Sequence, residues 1–346
     1  MTGNTEPYRW RRVWSIGGAL IGLAALAWIF GRLDYERLRD VLATADGVFL
    51  AAVPVVIAVE QLVRAWKWRQ ILHPLRPVST LRLFGAIMVG FLGNLLIPLG
   101  LSPILRSWLI ARLESLRLST VLATVAIDRL IDGVVFTVFV AAVLAFAAFP
   151  DPDGDIRFGL VVGGIGSLML FSLLLVLLAQ YKRGVKKLTD RIMRFAGRLP
   201  PRLAERTGAL LRSFAQGVVW PYDAWRRVAI VLASVVIKLV AATHFLWAGL
   251  AFGVVLRPVE YLFLIVFLGF VVILTHFARL AGGFIVAAVF ALGLFGVEPE
   301  PALAMTLAVQ VASLATVAGG GAFALWRHGF ALDDLRRMKE AGDRGG

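Results

Sequence analysis

Charged side chains inside apolar stretches are the residues of this sequence best placed to do chemistry. Asp128, Arg129 and Asp132 stand in the run Ala-Ile-Asp-Arg-Leu-Ile-Asp-Gly, and the two aspartates, four residues apart, share one helix face. An ionisable group costs about 2.5–3.5 kcal/mol at the centre of a membrane helix on insertion scales, so it marks a structural or functional site. Two interpretations stay open, an ion-pair cluster that locks helices together and a polar wall along a substrate path.

Two other apolar stretches are broken by polar residues, prolines and glycines. Arg106 follows the first break, where we expect Asn94 and Pro98 to shape a tip. A guanidinium group at this point can hold a lipid phosphate through two parallel hydrogen bonds, or it can extend to the membrane surface. The second break contains four residues that could also line a substrate path, namely His276, Arg279, Gly282 and Gly283.

Several kinds of chemistry are not expected. The sequence has no cysteine, which excludes disulfides and thiolate ligands, and its four histidines show no H-E-x-x-H pattern. No nucleophile elbow, phosphate-binding loop or dinucleotide fingerprint is present in a suitable context. We therefore expect no metal, no cofactor and no catalytic residues, and we do not expect an enzyme.

The elements that carry these residues are apolar helices. The chain of 346 residues is 59% hydrophobic and only 17% charged, and several runs reach the length of about 18 apolar residues that crosses a bilayer. The sequence predicts an all-α polytopic membrane protein with about six full transmembrane helices. They lie near 13–30, 47–63, 120–149, 158–181, 228–255 and 302–326.

The two broken segments, 81–119 and 258–296, are predicted to be re-entrant helical hairpins, because proline, glycine and charge in mid-membrane need protein or water partners. With both hairpins re-entrant, the loops on one side hold 28 of the 36 lysine and arginine residues. By the positive-inside rule that side is the cytoplasm. The hairpins then enter from opposite sides, a pattern of inverted-repeat transporters.

This topology predicts a multi-pass protein of the inner (plasma) membrane with both termini in the cytoplasm. The run at 13–30 is too long for a signal peptide and is expected to be a retained span. The net charge of +14 is explained by loops at the membrane surface, so no nucleic-acid partner is expected. We predict one integral membrane domain, 1–346, with a first half (1–181), a basic loop (182–226), a second half (227–330) and a tail (331–346).

Two sets of residues are predicted to lie at the membrane surface. The run that follows the second span mixes aromatic and basic side chains, as membrane interfaces do. It contains Arg64, Trp66, Lys67, Trp68 and Arg69. The segment after residue 182 is a basic amphipathic helix suited to an anionic leaflet, although a solvated linker is an alternative. Its basic residues include Lys186, Lys187, Arg191 and Arg194.

The order of these motifs resembles the transmembrane region of lysylphosphatidylglycerol synthases, the flippase-like family. The motifs are Ala-Trp-Lys-Trp-Arg at 65–69, Val-Gly-Phe-Leu-Gly-Asn-Leu-Leu-Ile-Pro at 89–98, Leu-Arg at 105–106 and Asp-Arg-Leu-Ile-Asp at 128–132, followed by a late Gly-Gly hairpin. The resemblance implies a cell-envelope protein that moves a phospholipid, glycolipid or lipid-linked molecule between leaflets. It implies that the polar positions of the first hairpin and of the 128–132 cluster serve that activity.

Two departures from the family pattern matter. Ser102-Pro103 replace the paired glycines of the first hairpin, and the second hairpin keeps Gly282-Gly283 but lacks the family's prolines and glutamate. The departures indicate a different substrate or a changed mechanism. Two alternatives to lipid transport also stay open, a membrane-embedded transferase on a lipid head group and a non-catalytic partner of an envelope-lipid biosynthesis enzyme. The expected partners are membrane lipids, with an anionic or lipid-linked substrate.

Overall fold

The computed structural model describes residues 33–96, 101–147, 154–196, 221–274 and 282–327, with residue 151 and a few residues within 24–31 and 213–219. Every regular element in these ranges is an α-helix. In chain order the helices are α1 (Tyr35–Ala43), α2 (Gly47–Leu72), α3 (Thr80–Leu96), α4 (Ser102–Leu113), α5 (Leu118–Phe146), α6 (Asp155–Ala196), α7 (Ala224–Ala251), α8 (Pro258–Leu274), α9 (Gly283–Gly293) and α10 (Pro299–Arg327).

Five helices are long and apolar enough to cross a bilayer, namely α2, α5, the first part of α6 (Asp155–Leu174), α7 and α10. They match five of the six predicted spans, and the span predicted at 13–30 lies mostly outside the described residues. A helix satisfies its backbone hydrogen bonds internally, as the hydrocarbon core requires. The prediction of an all-α polytopic membrane protein is confirmed.

Two helices extend beyond their predicted ends. Helix α2 continues to Leu72 instead of ending near residue 63, so the basic run after the span is part of the same helix. Helix α6 continues from the span to Ala196, and the basic segment that begins at residue 182 is therefore continuous with it. No proline stands within α6 to stop the helix, which agrees with this continuity.

The two broken segments each form a pair of short helices. Helices α3 and α4 have 17 and 12 residues, and α8 and α9 have 17 and 11. At about 1.5 Å per residue, even the longer helices reach only about 26 Å, which is less than the hydrocarbon thickness of about 30 Å. The turns between them, at 97–100 and 275–281, lie outside the described residues.

Helices α3 and α4 pack closely through small residues. A Cβ atom added to Gly90 would lie 2.9 Å from the carbonyl oxygen of Ser102 and 3.2 Å from Cβ of Arg106. On the other side of α3, Gly320 and Gly321 of α10 stand against Met88 and Leu92. Small residues let membrane helices approach at backbone distance, and here they hold α3 between α4 and α10.

The chain divides into two compact units. One contains Met1–Ile57, Val138–Gly164 and Lys238–Ser313, and the other contains Ala58–Thr137, Ile165–Ile237 and Leu314–Gly346. The first unit holds both helices of the α8–α9 hairpin and the span ends predicted to face outward. The second unit holds both helices of the α3–α4 hairpin and the span ends predicted to face the cytoplasm.

Within the first unit, α1 is tied to the start of α10. Asp34 caps α1, because its carboxylate accepts hydrogen bonds from the backbone N–H groups of Glu36 and Arg37. Arg37 pairs with Glu298, and the N–H of Asp34 donates to Oε1 of Glu300 at 3.0 Å. Glu300 is buried by this contact, whereas Glu298 is exposed.

Candidate functional site

The candidate site belongs to the second unit and begins with one face of α2. Arg64 follows Glu60 by four residues, and Lys67 follows Arg64 by three. This spacing places the three side chains along one face of a helix. Oε1 of Glu60 accepts a hydrogen bond from Nη2 of Arg64 at 2.7 Å, and Oε1 of Gln61 accepts one from Nε of Arg64 at 3.2 Å. All four side chains are buried.

Helix α5 supplies the carboxylates that face this row. Asp128 and Asp132 both approach Lys67, whose Nζ lies 2.7 Å from Oδ1 of Asp128 and 2.6 Å from Oδ1 of Asp132. Nη1 of Arg64 lies 3.3 Å from Oδ2 of Asp132. The side chains of Lys67 and Asp128 are completely buried, so this ammonium group bridges two carboxylates in the interior.

Helix α4 of the first hairpin completes the network through Arg106. Its Nη2 lies 3.2 Å from Oδ2 of Asp128, and its guanidinium carbon lies 5.0 Å from the ring centre of Trp68. Trp68 is held in turn by Thr124, whose Oγ1 accepts a hydrogen bond from the indole N–H at 3.0 Å. Arg106 is only 1% exposed, yet its Nε has no hydrogen-bond partner among the described residues.

The ion network joins α2, α4 and α5. Its cations are Arg64, Lys67 and Arg106, and its carboxylates are Glu60, Asp128 and Asp132. Removing charges from water costs several kcal/mol per ion, and this cost is offset only when every charge is paired with good geometry. Each of the three cations lies within 4 Å of a carboxylate, which offsets much of this cost, although Nε of Arg106 has no hydrogen-bond partner among the described residues. The network can therefore stand inside the apolar helices, and it fastens the first hairpin to two spans.

Arg129 differs from its neighbours on α5. Its side chain is exposed, whereas Asp128 and Asp132 are buried. It interacts electrostatically with the network, where Arg64 repels it and the carboxylates attract it. Among the residues that the structure describes, no carboxylate lies within ion-pair distance of Arg129.

The structure brings together three of the predicted substrate-path residues, Arg106, Asp128 and Asp132, and places Arg129 beside them. Asn94 lies on α3, half-buried, and its Oδ1 has no hydrogen-bond partner in the described part of the chain. Gly282 and Gly283 begin α9, and the φ of +79° at Gly282 is a left-handed conformation that glycine adopts without strain. Pro98, His276 and Arg279 lie outside the described residues.

The burial of Arg64, Lys67 and Trp68 corrects their predicted role as membrane-surface anchors. Mixed aromatic and basic residues after an apolar run usually mark an interface, but here these three point into the protein and meet the charges of α5 and α4. Trp66 is half-buried and Arg69 is exposed, and for them surface anchoring stays a prediction. The same holds for Lys186, Lys187, Arg191 and Arg194, whose side chains are not described.

Comparison with known proteins identifies the family. The sequence matches the family described as "Lysylphosphatidylglycerol synthase TM region" over residues 15–321. It is also similar to a protein of Haloferax volcanii named glycosyltransferase AglD, with 28% identity over 158 residues, which are 45% of this chain and 25% of that protein. The match thus spans about a quarter of that relative's length. No solved structure gives a significant match. With a match over nearly its whole length, the chain belongs to the lysylphosphatidylglycerol synthase transmembrane-region family.

Proposed function

We propose that this protein is a translocator that moves a phospholipid, glycolipid or other lipid-linked molecule between the leaflets of the inner membrane. The family supports a membrane protein of lipid or glycolipid metabolism. The charge asymmetry of the loops supports a cytoplasmic location of both termini. In this proposal the protein moves its substrate without covalent chemistry.

The observation that carries the proposal is the ion network that Arg106 joins from α4, about one turn after the break of the first hairpin. Arg106 belongs to the first hairpin, and among the described residues it contacts the spans through Asp128 and Trp68. Lys67 also contacts Asp128, so Asp128 keeps a counter-ion when Arg106 turns to another anion. A lipid phosphate can then replace Asp128 as the partner of Arg106, and its acyl chains stay in the bilayer.

The experiment is a leaflet-resolved assay of lipid movement in proteoliposomes. Arg106→Ala should lose transport, and Arg106→Lys should lose most of it, because lysine keeps the charge but not the planar pair of donors. Arg227→Ala, at the exposed start of α7, is the matched control and should be fully active. Variants are compared at equal amounts of folded, inserted protein. Full transport by Arg106→Ala would remove Arg106 from the proposal.

A second candidate function is a transferase that acts on a lipid head group, and the similarity to a named glycosyltransferase favours it. Such an enzyme needs a general base, and Asp128 or Asp132 could serve only after release from Lys67, which now holds both carboxylates. Mass spectrometry of lipids incubated with the purified protein tests it, since a covalent product would support the transferase. If the protein neither moves nor modifies lipids but co-purifies with an envelope-lipid enzyme, it is a non-catalytic partner.

A further inference from the structure

A short segment on the predicted outer side covers part of the second hairpin. Leu33, just before α1, and Leu303 of α10 form a small apolar cluster. The side chains packed against this cluster come from α1, α9 and α10, namely Leu38, Ile285, Val286, Val289 and Leu307. At the start of α9, a Cβ atom added to Gly282 would lie 2.4 Å from Cδ1 of Leu26. We name residues 33–43 the strap, because together with Leu26 they lie along α9 between Gly282 and Val289.

The strap is held by shallow contacts. No residue of α1 is buried, and Leu38 is only half-buried. Arg37 pairs with Glu298, but both side chains are 54% exposed, and an exposed ion pair contributes little to stability. The backbone N–H of Asp34 donates to Oε1 of Glu300 at 3.0 Å. An element with few buried apolar contacts and exposed polar contacts opens locally at a low cost in free energy.

One end of the strap lies next to a fixed point. The backbone N–H of Asp46 donates to the carbonyl oxygen of Ala251 on α7 at 2.9 Å. The carboxylate of Asp46 accepts a hydrogen bond from the backbone N–H of Val48 at 2.8 Å. Only Thr44 and Ala45 separate this anchor from the end of α1. A few loop residues can absorb the change in φ and ψ of a hinge, so α1 can turn about Asp46 while α2 stays in place.

We propose that the strap is an outer gate of the translocator, which covers α9 at rest and lifts from α9 and α10 when the substrate leaves toward the outer leaflet. This inference rests on the proposed function for what the opening serves, but the opening itself can be measured without transport. With 11 residues, α9 is about 16 Å long, roughly half the hydrocarbon thickness. A head group that passes the second hairpin on this side meets the part of α9 that the strap covers. Glu300 is the latch, because its buried carboxylate holds the backbone of Asp34 and therefore the start of the strap.

The first test fastens the strap in a chain that has no cysteine of its own. In Arg37→Cys/Glu298→Cys, a short bis-maleimide with a reducible link should join the strap to the start of α10. The link should slow lipid movement in proteoliposomes at least about 10-fold, because lid opening limits turnover, and reduction should restore the rate. The matched control, Glu36→Cys/Asp40→Cys, places the same link within α1 and should leave the rate unchanged. Full lipid movement with the link intact between positions 37 and 298 overturns the gate.

The second test detects opening without any lipid assay. Leu33→Cys places a thiol that is buried while the strap is closed, since Leu33 is 7% exposed. A small maleimide should label it slowly in the folded protein, and Glu300→Ala should raise the labelling rate about 5-fold, the size of one hydrogen bond. Glu300→Gln keeps an acceptor oxygen and should leave the rate near that of the parent. No labelling of the folded protein, or equal labelling with Glu300→Ala, shows a static brace and overturns the gate. A protein that opens in this way but moves no lipid refutes the proposed function alone.

Discussion

Lys67→Met is the sharpest test of the ion network. Methionine keeps most of the side-chain volume but leaves Asp128 and Asp132 without the ammonium group that now lies 2.7 and 2.6 Å from them. Arg64 and Arg106 remain, at the longer distances of 3.3 and 3.2 Å. Removing one partner of a buried ion pair costs about 3–5 kcal/mol. Because Arg64 and Arg106 still compensate part of the negative charge, we expect the free energy of unfolding to fall by about 3 kcal/mol, near the lower end of that range.

The measurement is unfolding in mixed micelles, followed by tryptophan fluorescence. Arg69→Met is the matched control, since Arg69 is exposed on the same helix. This variant should change the free energy of unfolding by no more than about 0.5 kcal/mol. A double-mutant cycle with Asp132→Asn should give a coupling energy of at least about 1 kcal/mol. The reasoning fails if Lys67→Met is as mild as Arg69→Met, as a surface anchor predicts, or if the two changes are additive.

Three other outcomes are expected. Gly90→Ala should destabilise the α3–α4 hairpin by about 1–3 kcal/mol in the same unfolding assay, because the new Cβ meets the backbone of α4; Gly166→Ala, which meets nothing within 4 Å, should not. In intact cells, an impermeant thiol reagent should label a cysteine at the exposed Glu298 but not one at Lys187, and the reverse result would invert the topology. A peptide spanning 182–200 should lose about 1 kcal/mol of binding to anionic vesicles for each basic residue between 186 and 194 changed to glutamate, and unchanged binding would favour a solvated linker.

The arrangement of helices could be predicted from the sequence because the bilayer imposes a length and a polarity on each span. Apolar runs with a minimum length predict spans, and breaks at glycine and proline predict hairpins, whatever the details of packing. The helix ends were less predictable. Helix α2 continues to Leu72, and the charges of Arg64 and Lys67 after residue 63 have partners on α5 that are distant in sequence.

The candidate site could be predicted only in part. The spacing of Asp128 and Asp132 placed both carboxylates on one helix face, and the structure directs both of them at Lys67. Sequence reasoning put Lys67 at the membrane surface, because a lysine after an apolar run usually extends to water. The sequence signal for burial was the spacing of Glu60, Arg64 and Lys67, which places all three on one face of α2. The two basic residues of that face can then pair with the carboxylates of α5.

The burial of so many charges argues that the network does more than hold helices together. Apolar residues of similar volume often stabilise a protein as well as a buried ion pair does, or better. A network built for stability alone would also not need Arg106, whose Nε is buried without a partner among the described residues. A pairing that is incomplete at Arg106, beside an exposed Arg129, suits a site where an incoming anion replaces an internal one.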